Sequence, residues 1–168
     1  MALLEIITLP NPILRRKAHK VADFGVDFRV LVEDMIDTMR DAPGVGLAAP
    51  QVAISLRLIV VEYGDDENEN VPKKLYVVAN PEIIERSEET DLGVEGCLSV
   101  PGLIGEVERN ITITVKGQNR LGNPVKIKAE GWLARIFQHE IDHLDGIVYT
   151  DLTDKVWKPT SEDETPLD

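Results

Sequence analysis

The chain is poor in cysteine. Cys97 is the only one, which excludes an intrachain disulfide, leaves one thiol free for chemistry and suits a reducing compartment. Long apolar runs are also missing, so no segment reads as a membrane span. The opening, Met1-Ala2-Leu3-Leu4-Glu5-Ile6-Ile7, has no basic n-region and soon meets Pro10 and Pro12, unlike a secretory signal. The expectation is a cytoplasmic protein with no membrane partner. Positive charge is scarce: 18 Lys and Arg stand against 30 Asp and Glu, for a net charge of -12. Such a surface repels phosphate backbones and argues against nucleic-acid binding. Much of the acidic excess lies in residues 62–70 and in Ser161-Glu162-Asp163-Glu164, which read as a solvated loop and a frayed terminus.

What is present suffices for one folded unit. The 168 residues are 43% hydrophobic, an ordinary value for a globular domain long enough to bury a core. Neither repeats nor an interdomain linker stand out. The expectation is a single domain over residues 1–168, with a core over 1–150 and a short acidic C-terminal tail over 151–168. Phe28, Leu31, Val32, Met35, Ile36 and Met39 recur at helical spacing, which predicts an amphipathic helix over 28–40 that ends at Asp41-Ala42-Pro43-Gly44. The β-branched runs 56–63 and 75–78 read as buried strands, and Ile83-Ile84 as the start of a third. Residues 111–116 and 125–130 alternate apolar and polar side chains around the turn signal 119–124, which predicts an antiparallel hairpin with one wet face.

Residues 131–145 read as a helix opening after Gly131 and closing near Gly146. Trp132, Leu133, Ile136, Phe137, Ile141 and Leu144 spread around most of its circumference, so it is expected to be buried. The fold class is therefore α+β, with short antiparallel sheets wrapped around a central helix and a second helix near the N-terminus.

That buried helix carries His139-Glu140-Ile141-Asp142-His143. Histidines four apart differ by about 40° in azimuth, so both rings reach one point, as two ligands of one metal require. Two histidines four apart also occur by chance. Here, however, they are two of only three and sit where unpaired imidazoles are costly to bury. Helix angles leave the general base open, because Glu140 and Asp142 flank the pair about equally, at roughly 80° each. Glu140 has the longer reach and matches the metallohydrolase pattern; Asp142 reads as a polar partner. A catalytic metal needs a third protein ligand and an open position. His19, in a basic stretch, reads as a surface residue. Cys97 on its own would read as a small buried hydrophobe.

Three segments taken together resemble the peptide deformylase family: Gly44-Val45-Gly46-Leu47-Ala48-Ala49-Pro50-Gln51, Glu95-Gly96-Cys97-Leu98-Ser99 and Gln138-His139-Glu140-Ile141-Asp142-His143. Their order and spacing match as well, and the likeness runs over about residues 5 to 150. It implies a hydrolase that removes the formyl group from the N-terminal methionine of nascent peptides and releases formate. It implies that Cys97, His139 and His143 hold one divalent metal, usually iron(II), with zinc(II), nickel(II) or cobalt(II) as substitutes. It also implies Glu140 as general base, with the Gln51 amide and the Leu98 N–H as oxyanion donors. Gly44, Val45, Gly46 and Gly96 would lie along the peptide. Trp132 and Ile136 share the metal face of the helix and are nominated, with Val45, for the methionine pocket, although core packing explains them equally well. Arg135 lies near the same face, where an ion pair would account for it.

Two features depart from many bacterial members of that family. The chain ends in Lys155-Val156-Trp157-Lys158-Pro159-Thr160 and an acidic tail, which cannot supply the long basic helix used for ribosome contact. Pro101-Gly102-Leu103-Ile104-Gly105 lacks the charged residues found elsewhere after the proline. The rival readings are a zinc endopeptidase, which shares the histidines and Glu140 without using Cys97, and a non-enzymatic metal-binding or interaction domain.

Overall fold

A computed structural model describes residues 2–64 and 72–160. Most of the acidic stretch expected as a loop over 62–70, and the acidic end of the chain at 161–168, lie outside the described residues. The described residues form two α-helices and eight strands, in an α+β arrangement of antiparallel sheets. The first helix, α1 (Val26–Asp41), buries Phe28, Val32, Met35, Ile36 and Met39, the stripe expected from the sequence. The second, α2 (Trp132–Leu144), is buried at ten of its thirteen positions. Its exceptions include Trp132 in the first turn, which is exposed.

The larger sheet has the order β1 (Gly46–Ala48), β2 (Leu58–Tyr63), β3 (Lys74–Arg86), β6 (Thr112–Gln118), β7 (Pro124–Glu130). Alternate side chains of a strand point to opposite faces. In β2, Leu58 and Val60 pack with the α1 stripe, while Ile59 and Val61 pack with Ile136, Phe137, Ile141 and Leu144 of α2. A strand covered on both sides is apolar at successive positions, which explains the unbroken run 58–61. The β6–β7 hairpin meets α2 on one face only. Ile113, Val115, Ile127 and Ala129 point to it, and Lys116, Lys126 and Lys128 point outward and are exposed, as the period-two pattern requires.

β3 merges the two strands expected at 75–78 and 83–84 into one of thirteen residues. It passes Pro81 through a shift of register between Ala79 and Glu82, the kind of irregularity that lets a sheet accept a proline. β2 begins at Leu58 rather than residue 56, because Leu56 instead bridges His19, whose side chain is exposed.

The smaller sheet is a hairpin of β4 (Thr90–Cys97) and β5 (Val100–Asn110), with β8 (Val156–Trp157) on its edge. These long strands were not expected, since residues 90–110 are rich in glycine and acid and contain Pro101. β8 belongs to the segment read as a tail. Residues paired directly across the hairpin share a face. That places Asp91, Gly93 and Glu95 of β4 beside Arg109, Val107 and Gly105 of β5. α2 packs against β1, β2 and β7 of the larger sheet and β5 of the smaller. No described helix is long and apolar enough to cross a membrane.

Candidate metal centre

The end of β4 meets the middle of α2. Cys97 closes the strand, and His139 and His143 stand one turn apart on the buried face of the helix. One ligand atom from each lies within 4.8 Å of the others. The Cys97 Sγ is 3.4 Å from His143 Nε2, and the imidazole centroids are 5.1 Å apart. His139 Nε2 is buried and has no hydrogen-bond partner in the protein. A soft sulfur and two imidazole nitrogens, one of them unengaged, form a donor set suited to a divalent transition metal with one coordination position left open. The third donor that helix geometry could not supply comes from the strand.

A second set of side chains holds the first. Glu95 is fully buried. With its proton on Nδ1, His139 donates to Glu95 Oε1 at 2.8 Å, which turns Nε2 toward the sulfur side and fixes the tautomer a metal ligand needs. Arg109 grips the same carboxylate twice, through Nη2 to Oε1 at 2.8 Å and Nε to Oε2 at 2.9 Å. Its Nη1 donates to Asp142 Oδ2 at 2.6 Å. Burial alone would raise the Glu95 pKa, but the Arg109 and His139 hydrogen bonds outweigh it and hold the carboxyl well below its usual range. Arg109 shifts upward for the reciprocal reason. Burial dominates at Asp142, whose pKa rises despite Arg109. Burial also opposes charge on His139, yet Cys97, Glu95 and Glu140 favour its charged form; burial and the His139 charge push His143 the other way. The two rings thus resist being charged together, and as metal ligands both are neutral.

The other residues singled out from the sequence lie as follows. Glu140 is fully buried against the edge strand β1, so close that a Cβ on Gly46 would sit 2.5 Å from its Oε2. Only glycine fits there. Asp142, the alternative acid, is taken up by Arg109. Gln51 sits in the short helical turn Ala49–Val52. Its Oε1 accepts from the Ala48 N–H at 3.0 Å, which aims Nε2 at Cys97 Sγ, 3.6 Å away, and at Ser99 Oγ, 3.2 Å away. Leu98 follows Cys97 in the β4–β5 turn. A cleft of about 250 Å³ opens beside Gly96, Cys97 and Leu98, bounded by 100–104 and Pro159. Gly44 precedes β1 and donates its N–H to Met39 O at 2.7 Å. Val45 packs at the edge of the α2 core cluster, and Ile136 lies inside it. Trp132 is exposed in the first turn of α2, its ring centroid 5.3 Å from the Arg135 guanidinium carbon.

Three contributors carried no assigned role in the sequence reading. Glu95 and Arg109 are the first two, and a signal existed for them: Glu95 precedes Cys97 by two positions and therefore shares its face of an extended strand. An acid on a buried face requires a cation. The third, Tyr149, is buried and stacks on His139 with centroids 6.1 Å apart. Burial first, then the Cys97 and Glu95 charges, push its phenol up to about 12. No sequence pattern marked it.

The family model for polypeptide deformylase matches residues 3–158. A peptide deformylase of Symbiobacterium thermophilum is 51% identical over 97% of this chain and 72% of its own. Among solved structures, a peptide deformylase of Ehrlichia chaffeensis in complex with actinonin superposes with a TM-score of 0.86 at 39% identity, covering 92% of this chain and 91% of that one. A Met-Ala-Ser-bound peptide deformylase of Acinetobacter baumannii gives 0.84 at 38%, over 90% and 99%. Likeness of this extent takes in both sheets, both helices and all the segments that meet at Cys97, and it follows that the chain belongs to the polypeptide deformylase family.

Proposed function

We propose that the chain hydrolyses the N-formyl group from the N-terminal methionine of newly made polypeptides, releasing formate, and that it does so with a metal held by Cys97, His139 and His143. The observation that carries this reading is the convergence of that thiol and those two imidazoles within 4.8 Å. Iron(II) is the expected native ion, with zinc(II), nickel(II) or cobalt(II) able to replace it. When bound, such an ion supplies a water of lowered pKa and draws charge from a carbonyl oxygen.

The protein's own groups do the rest. The β1 edge from Gly44 to Gly46 pairs with the extended peptide, with Gly96 along the same cleft, and Val45, Ile136 and Trp132 border the methionine side chain. This brings the formyl group between Glu140 and Gln51. Glu140 accepts a proton from the attacking water as its oxygen bonds to the formyl carbon. The Gln51 amide and the Leu98 N–H donate to the oxygen on which negative charge develops; each such donor contributes about 3–4 kcal/mol when judged by deletion. Glu140 then gives the proton to the amine nitrogen as the carbon–nitrogen bond breaks, leaving formate and a free methionine terminus. In this reading α2 is the central helix about which both sheets wrap, residues 1–168 act as one catalytic domain with its core in 1–150, and the setting is cytoplasmic. Any contact with the ribosome is transient.

Formate release from formyl-Met-Ala-Ser tests the reading. Parent chain is expected to turn it over, and Glu140→Ala to lose at least a hundredfold while keeping its metal, the lower bound for a general base. Near-normal turnover by Glu140→Ala removes the base assignment. Cleavage of internal amides in an unformylated peptide, without formate, would favour an endopeptidase instead.

A further inference from the structure

Arg135 stands one turn before His139 on α2, so the two side chains leave the same face of the helix. It is 3% exposed, a rare degree of burial for arginine, and besides the Trp132 ring it makes four directed hydrogen bonds. Nη1 donates to Glu95 Oε2 at 2.7 Å and to Val107 O at 2.9 Å. Nη2 donates to the backbone O and to Oδ1 of Asp91, each at 3.0 Å. β4 makes room for this group. A Cβ on Gly93 would lie 2.7 Å from Arg135 Cζ and 2.8 Å from Nε, closer than any real Cβ approaches.

Arg109 and Arg135 do different things for Glu95. Arg109 belongs to β5, the neighbour of β4 in the same sheet; it grips both Glu95 oxygens from that sheet and, among its described hydrogen bonds, touches α2 only at Asp142. Arg135 belongs to the helix that carries both imidazoles. Arg135 and His139 therefore reach the carboxylate from successive turns of α2, one at each oxygen. Cys97 follows Glu95 by two positions on the strand. A shift of the Glu95 carboxylate relative to α2 would turn the His139 ring and move it relative to the sulfur. We propose that Arg135, seated over Gly93, is a positioning residue for the metal centre: it sets Glu95, and through Glu95 the His139 ring, against the Cys97 thiol. The inference rests on the metal-site reading above.

The test uses the full chain, Arg135→Met, Gly93→Ala and the double variant. Each is stripped of metal and titrated with zinc(II) against a chelating indicator, and thermal unfolding of the metal-free forms is followed in parallel. Each single change is expected to weaken zinc binding about tenfold, the low end for outer partners of ligating imidazoles. The double variant is expected to bind no more weakly than Arg135→Met, because both changes remove one and the same contact. Gly93→Ala keeps the guanidinium charge and should still shift the visible absorption bands of bound cobalt(II), which a packing role alone leaves in place. Zinc affinity within about threefold of parent in both single variants, with the loss confined to unfolding temperature, overturns the proposal, since outer partners that orient a ligand cost more than this. If Arg135→Met does not fold, Gly93→Ala decides by the same criterion. A parent chain that takes up no zinc overturns the metal-site reading and this inference with it; tight binding by the parent beside unimpaired variants overturns the inference alone.

Discussion

In the five-stranded sheet, Leu58, Ile59, Val60 and Val61 alternate between an apolar layer shared with α1 and another shared with α2. In the three-stranded sheet the inward positions of β4 and β5 include Gly93, Glu95, Gly105, Val107 and Arg109, with Asp91 at the exposed end of the same face. Two glycines there leave space that large groups from elsewhere fill: Arg135 lies over Gly93, and Tyr149 over Gly105. The first sheet is held by area removed from water, which is non-directional and tolerant of exchange among apolar side chains. The second is held by hydrogen-bonded charges, which are intolerant of losing a partner but set atoms to fractions of an ångström. The Cys97 sulfur of the proposed metal site comes from the second kind of sheet. Chemistry that needs a fixed ligand set is thus placed where packing is directional.

The sharpest way to break the contrast is to remove the centre of the charged cluster. Glu95→Ala leaves Arg109 and Arg135 buried without their shared carboxylate. We expect a loss of about 3–5 kcal/mol in urea unfolding, the penalty for orphaning a buried charge. A loss below about 1 kcal/mol, the scale of exposed pairs, would mean that the cluster is wetter and looser than its geometry indicates.

The same contrast explains what could be read from the chain. α1, α2, β2 and the β6–β7 hairpin follow from apolar periodicity, because burial against one layer or two leaves its imprint at every second or every third to fourth residue. β4 and β5 leave no such imprint. Apart from Val107, the positions on the face of Asp91, Gly93 and Glu95 and directly opposite them are glycine and charged residues, and a run such as Asp91-Leu92-Gly93-Val94-Glu95-Gly96-Cys97 resembles a loop until its partners on α2 are known. The Cys97–His139–His143 set was legible only through family likeness, since nothing local to Cys97 shows that α2 will arrive beside it. Asp142 was correctly read as a polar partner, though Arg109 was not foreseen. Trp132 was placed with the metal face by helix angle; it is exposed in the first turn of α2, a degree of exposure that helix angle alone does not foretell.

Metal removal probes the seam between the two halves, because Cys97 belongs to β4 and both imidazoles to α2. A ligand bound only by the folded state stabilises it by about 2.7 kcal/mol at a hundredfold excess over its dissociation constant. Stripping zinc(II) from loaded protein should lower the unfolding temperature accordingly. Amide hydrogen exchange should quicken in residues 90–110 and change little in 58–63. Uniform loss of protection across both sheets would show that the two are one cooperative unit.

Within the apolar half, Ile59→Val removes one methylene from the layer beneath α2. The expected cost is about 0.5–1.5 kcal/mol, with zinc affinity unchanged. A drop in zinc affinity from this change would mean that the apolar layer, and not only the charged cluster, sets the ligand geometry.

The smallest effect belongs to a pair with the same chemistry as the cluster but a different setting. Arg40 Nη2 lies 2.7 Å from Glu62 Oε2, a bidentate contact by distance as short as that between Arg135 and Glu95, yet the Arg40 side chain is half exposed. Water and salt screen it, and exposed pairs contribute at most about 1 kcal/mol. The Arg40 hydrogen bond, against the opposing effect of burial, lowers the Glu62 pKa. A lowered folded-state pKa means that the stabilisation is present above the unfolded carboxyl's pKa and disappears as pH falls through the folded one. Arg40→Ala should therefore cost under about 1 kcal/mol at neutral pH and low salt, and the difference from parent should vanish in high salt or in acid. Persistence of the difference in both conditions would mean that the Arg40 stem, not its charge, carries the effect.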